Sequence, residues 1–217
     1  MSGFAVVWQH RDMIVLGFEN TLIITIISAI GALVLGAMLT IPLMSRLPAV
    51  HLAATAYVDA MRCVPFLLFV YLIYYGLPSL GLRFDNWSSG IAALILYNTA
   101  YMGELLRAAW NNLPKEMIEA GNAFGFSGWR LFRRIILPPV LYSALPLIGN
   151  QMIQIVKDSA FLTIIAVNEL THEATSLQTF YFVPFAAFIA AVALYWVTCM
   201  AIEGAVGFAN RLAEERR

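Results

Sequence analysis

Apolar residues run through this chain in five long blocks, separated by shorter stretches that hold most of its charge. A helix crossing a bilayer takes roughly 20 apolar residues. Blocks near Phe18–Met44, Ala53–Leu77, Trp87–Trp110, Arg134–Val156 and Phe180–Phe208 reach that length. A sixth apolar piece, Ala160–Leu170, is too short to span and reads as a half-helix or a segment lying at the surface. The pattern predicts an all-α, polytopic membrane protein, a single transmembrane domain over residues 1–217 with five spanning helices.

Composition sharpens this. Of 217 residues, 61% are hydrophobic and 12% charged, against a usual charged share of about a quarter. A soluble domain of this size could not hide so much apolar surface. Net charge is zero, so no global field attracts nucleic acid, and the placement of charges matters more than their sum. Arg46, Arg107, Lys115, Arg130, Arg133, Arg134, Arg211, Arg216 and Arg217 share one side, whereas Arg11, Arg83 and Lys157 lie on the other. Cytoplasmic loops are enriched in Lys and Arg, which predicts an outside N-terminus and a cytoplasmic C-terminus. The first 12 residues end in the polar run Gln9–Asp12, and the apolar run Met13–Met44 is too long for the core of a cleavable signal. Cys63 and Cys199 sit in apolar runs and read as packing residues. His10, His51 and His172 are scattered near block ends, with no metal-ligand spacing. Gly31, Gly36, Gly76, Gly149, Gly204 and Gly207 lie inside blocks, where small residues let helices approach closely.

The predicted cytoplasmic loop 111–133 holds a helix-turn-helix. Pro114 suits a first helical turn, and Met117, Ala120, Gly121 and Phe124 recur at the spacing of one helical face. Gly125 can take the left-handed conformation that ends a helix, and Ser127 can cap the next, Trp129–Leu137. A face of small residues on a two-turn helix fits a groove on another protein. The competing reading, a helix resting on lipid headgroups, would favour larger apolar groups. Glu119 is either the polar contact in that groove or a solvated carboxylate. The chain itself holds no G-x-x-x-x-G-K-[ST] phosphate loop, so energy from nucleotide hydrolysis would come from a separate subunit.

Glu119-Ala120-Gly121, then Gly125, then Ile135-Ile136-Leu137-Pro138 resembles the EAA signature of permease subunits of bacterial ATP-binding-cassette importers. Gly121 stands where that family usually has a second alanine. Further stretches are similar to the polar amino acid branch, which serves histidine, arginine, glutamine, glutamate and opines. They are Gly17–Leu22, Arg62-Cys63-Val64-Pro65, Tyr74–Pro78, Ala100–Glu104 with Arg107, Asn150, Lys157–Leu162 and Val167–Leu170. The chain departs from the branch at Cys63-Val64, where Gly-Thr is frequent, and at Glu116-Met117, where Gly-Gln is frequent.

The resemblance implies a permease in a bacterial inner membrane, working by alternating access beside a second permease or a second copy of itself. It implies two ATPase subunits that bind the ATP and Mg, an extracytoplasmic substrate-binding protein and an amino acid substrate. This chain would carry no cofactor, no metal and no catalytic residue. Met117, Glu119, Ala120, Gly121, Phe124 and Gly125 would couple to the ATPase.

A charge near the bilayer centre costs at least ~2.5 kcal/mol, so it faces a cavity or a partner. Arg62 can hold a carboxylate through paired donors or pair with Asp59 at i, i+3. Pro65 breaks local helix bonding and can open backbone groups toward a cavity. Glu104 and Arg107 form a second i, i+3 pair, with Asn98 and Tyr101 one or two turns away. Lys157, Asp158 and Ser159 follow the fourth block, where a broken helix would gather polar groups around a substrate. Asp158 would accept an ammonium while Arg62 takes the carboxylate, and Gln154 is a weaker hydrogen-bonding candidate there. The alternatives are a methionine or inorganic-ion importer and, from another class, an intramembrane enzyme. The last would need a nucleophile-base pair at depth, and the blocks offer none.

Overall fold

The computed structural model describes residues 3–214, and among them there is no strand. Ten α-helices follow in order: α1 (Gly3–Gln9), α2 (Arg11–Leu43), α3 (Pro48–Cys63), α4 (Phe66–Tyr71), α5 (Asn86–Asn111), α6 (Lys115–Ala123), α7 (Gly128–Leu131), α8 (Leu137–Ser159), α9 (Leu170–Tyr181) and α10 (Pro184–Glu214). A π-helical turn at Leu72–Gly76 and a 3-10 turn at Leu77–Leu80 extend α4, and a second π turn, Phe132–Ile136, joins α7 to α8.

Among the described residues three helical stretches are long and apolar enough to cross a membrane: Arg11–Leu43, Gly128–Ile165 and Pro184–Leu212. A fourth arises if α3 and the helix after it count as one span broken by a 108° bend. Pro65 sits at that bend, without the N–H that would continue α3. The remaining predicted block lies in α5, whose polar content has a physical reason. Ser89, Asn98 and Thr99 of α5 are buried against protein, so this helix need not satisfy lipid on every side. The sixth apolar piece is a 3-10 turn, Ala160–Ile165, that ends in a left-handed Ala166, and a separate half-helix, α9, comes after it. The last block begins at Pro184 because left-handed Phe182 ends α9.

α2 and α5 form the central pair, with α8 against α5, α10 against α8, and α9 wedged between α2 and α10. Their core contains Ile24, Val70, Leu94, Met102, Ile155 and Leu162. A close crossing sets the α2–α5 distance. A Cβ at Gly36 would lie 2.5 Å from Cβ of Met102, and Thr40 Oγ1 donates to the Gly103 carbonyl at 3.3 Å. Gly31 and Gly149 are likewise pressed against Ile95 and Val206. Gly204 and Gly207 face open space, so within this chain they pack against nothing. The outer surface is inverted relative to a soluble protein: Ile30, Met38 and Ile41 on α2 and Val192 and Trp196 on α10 are exposed, as an apolar solvent requires.

Candidate functional site

The bend between α3 and α4 is held by a tyrosine. Tyr97 of α5 donates its hydroxyl to the Val64 carbonyl at 3.0 Å, and Tyr101 donates to the Tyr97 oxygen at 3.4 Å. Val64 and Pro65 are thus the joint of the second predicted block, with one freed backbone acceptor already occupied.

One turn below the joint, Arg62 lines a cavity of about 230 Å³ with His51, Thr55, Asp59, Glu104 and Arg107. Arg107 grips Glu104 through two hydrogen bonds, Nε to Oε2 at 2.8 Å and Nη2 to Oε1 at 2.5 Å. The i, i+3 pairing expected on α5 is therefore present. The corresponding pairing of Asp59 with Arg62 is not: the Glu104–Arg107 pair is the single ion pair among the described residues.

Asp158 does not line that cavity. It is buried at the end of α8, where Gln154 donates to its Oδ1 at 2.8 Å. One turn back along α8, Gln151 donates to Asn98 Oδ1 at 2.6 Å. A polar line of Asn98, Gln151, Gln154 and Asp158 thus runs between α5 and α8. Ser159 is buried and gives its hydroxyl proton to the Val156 carbonyl, whereas Lys157 is exposed. Of the residues expected to bind a substrate, the structure gathers Arg62 and Glu104 at one place and Asp158 with Gln154 at another.

The elbow forms much as expected. Gly125 is left-handed with φ +80°, and its N–H donates to the Asn122 carbonyl while that of Phe126 donates to Gly121. Ser127 occupies the cap position of α7, but its side chain caps nothing. Met117, Glu119, Ala120 and Phe124 are exposed, Phe124 at 84%. Gly121 turns inward instead, where a Cβ would meet Leu131 at 2.7 Å. Its smallness lets the elbow close on itself.

Glu169 carries more structure than its place in a matching stretch suggested. It is fully buried, caps α9 by accepting from Thr171 N (2.8 Å) and His172 N (2.7 Å), and accepts the Tyr195 hydroxyl at 2.8 Å. The loop before it is pinned by Asn86 Nδ2 to the Ala166 carbonyl and Asn20 Nδ2 to the Asn168 carbonyl. The signal in the sequence was an acidic residue directly before a helix, a cap pattern.

With this geometry in hand, residues 32–213 match the model of a family described as binding-protein-dependent transport system inner membrane component. The chain belongs to that family. The probable glutamine ABC transporter permease GlnM of Bacillus subtilis (strain 168) is 29% identical over 97% of this chain and 98% of its own length. The octopine transport system permease OccQ of Rhizobium meliloti is 37% identical over 79% of this chain and 76% of its own. A crystal structure of an amino acid ABC transporter with histidines superposes with a TM-score of 0.90 at 25% identity, covering 96% of this chain and 97% of that one.

Proposed function

We propose that this chain is the membrane-spanning permease subunit of an ATP-driven amino acid importer. The carrying observation is that likeness in fold, at a TM-score of 0.90 over nearly the whole of both chains, to an amino acid ABC transporter. Relatives named for glutamine and octopine transport point the same way, and the methionine or inorganic-ion alternative is the weaker one. In this reading α2, the broken α3–α4 pair, α5, α8 and α10 are the five spans, with the N-terminus outside and the elbow and C-terminus in the cytoplasm.

The exposed face of Met117, Glu119, Ala120 and Phe124 docks into an ATPase subunit, and Gly121 and Gly125 shape the elbow that presents it. ATP and Mg belong to that subunit. An extracytoplasmic binding protein delivers the solute, and a second permease, identical or similar, completes the pathway. ATP-driven closure moves the elbow and turns the path outward; hydrolysis lets it reopen inward, an equilibrium biased by a ligand that prefers one state. Along the path Arg62 and Glu104, beside the Pro65 joint, and Asp158 with Lys157 and Ser159 contact the solute.

The test is ATP-dependent uptake of labelled amino acids into vesicles by the co-expressed complex, comparing wild type with Asp158→Ala and Glu119→Lys. Loss of uptake in both, with ATP hydrolysis persisting in Glu119→Lys, is expected. No uptake of any amino acid by wild type would overturn the reading. Full transport in Glu119→Lys would overturn the docking role.

A further inference from the structure

His51, Thr55, Asp59 and Arg62 recur at i, i+4, i+8 and i+11, which places them on a single stripe of α3. That stripe forms one wall of the 230 Å³ cavity, and Glu104 and Arg107 of α5 form part of the other. The space holds several water molecules, each needing about 30 Å³.

The charges on the two walls are spent differently. Glu104 is satisfied twice by Arg107, and His51 Nδ1 lies 2.9 Å from the Leu43 carbonyl oxygen. Asp59 and Arg62 are both exposed and make no hydrogen bond or ion pair among the described residues, although the Arg62 charge also acts on Glu104 at longer range. Two opposite charges, three residues apart on one helix face, thus front the same cavity and do not neutralise each other. In a span lined by lipid such groups persist where they meet water, a ligand or a partner, and here they front a cavity.

We infer that this groove is a second binding site for the zwitterionic head of an α-amino acid, separate from Asp158. Arg62 donates to the carboxylate and Asp59 accepts from the ammonium. The inference rests on the amino acid reading above. The cavity's four charged groups sum to zero: Asp59 and Glu104 against Arg62 and Arg107. A simple anion or cation would meet a like charge wherever it met its partner, and a dipolar ion meets both partners at once. The groove adjoins Leu43 at the end of α2 and the last turns of α5, which lead into the elbow. On the proposed orientation it therefore lies on the cytoplasmic half, where solute leaves.

The test uses Thr55→Cys as reporter, in an assembled complex with Cys63 and Cys199 replaced by serine. The rate of alkylation at position 55 is measured with each common L-amino acid present singly. The expected result is protection by at least one of them, about tenfold at ten times its dissociation constant. Its carboxyl-amidated and deaminated analogues should protect little, since each lacks one of the two charges. Protection should persist in Asp158→Asn and vanish in Arg62→Ala. Absence of protection by every amino acid overturns the site. So does equal protection by both analogues, or loss of protection in Asp158→Asn, which would mean that the effect travels from the other site. Because alkylation is read without turnover, failure here leaves the uptake result, and the function it tests, standing on its own.

Discussion

Glu169 shows how a single buried carboxylate organises one end of this fold. It closes the N-terminus of α9 with both oxygens and also receives the Tyr195 hydroxyl. Truncation strands two backbone donors, Thr171 N and His172 N, while the Tyr195 hydroxyl keeps Thr171 Oγ1 at 3.0 Å; a buried donor left unpaired costs about 1–3 kcal/mol. Glu169→Ala should therefore lower the melting temperature of the purified complex measurably, and Glu169→Gln should lower it less. The residue lies between the spanning helices, and burial pushes its carboxyl up from 4.5 to about 7. Between those values the unfolded chain has released a proton that the folded one keeps, so stability falls as pH rises and levels off above the folded value. Melting at about pH 5 and about pH 8 should show that decline in wild type and flatten it in Glu169→Gln. An unchanged slope in the variant would assign the pH dependence to another group.

At the scale of elements, the α2–α5 crossing depends on the absence of a side chain at Gly36. A methyl group there would press on Met102 Cβ and on the Gly103 backbone nitrogen at 2.9 Å. Overpacking of this kind costs typically about 1–3 kcal/mol. Gly36→Ala should lower the melting temperature and the recovered monodisperse fraction. Gly76→Ala is the control, because its Cβ would meet only the Leu72 side chain at 3.5 Å. If both behave like wild type, the crossing is softer than its geometry implies.

Some elements could be read directly and others could not. Pro114 and Gly125 bounded α6, and Pro65 marked the joint, because each residue's backbone acts locally whatever surrounds it. The inward turn of Gly121 was hidden, since it depends on Leu131 and Ile135 returning from the next helix. The helix α9 was hidden too: short, polar for a buried element, and stabilised by Glu169, Thr21 and Tyr195 from three parts of the chain. Arg62 and Asp158 were visible as charges in apolar blocks, but which of them share a cavity is a property of helix packing.

For the whole molecule, the surface divides by solvent. Exposed Ile, Val and Trp side chains cover α2 and α10, while charge concentrates at the elbow and in the α3–α5 groove. This division gives the axis along which the chain sits in a bilayer, and the bias of Lys and Arg is the basis of the proposed direction. On the proposed orientation Leu82, exposed after the 3-10 turn, and Ser127, exposed in the elbow, lie on opposite faces. Introduced singly as cysteine in a chain whose own Cys63 and Cys199 are serine, they should respond oppositely to a membrane-impermeant thiol reagent. Leu82→Cys should be labelled from outside in spheroplasts, and Ser127→Cys only in inverted vesicles. Labelling of Ser127→Cys from outside would remove the elbow from any cytoplasmic ATPase and, with it, the route by which ATP could move this chain.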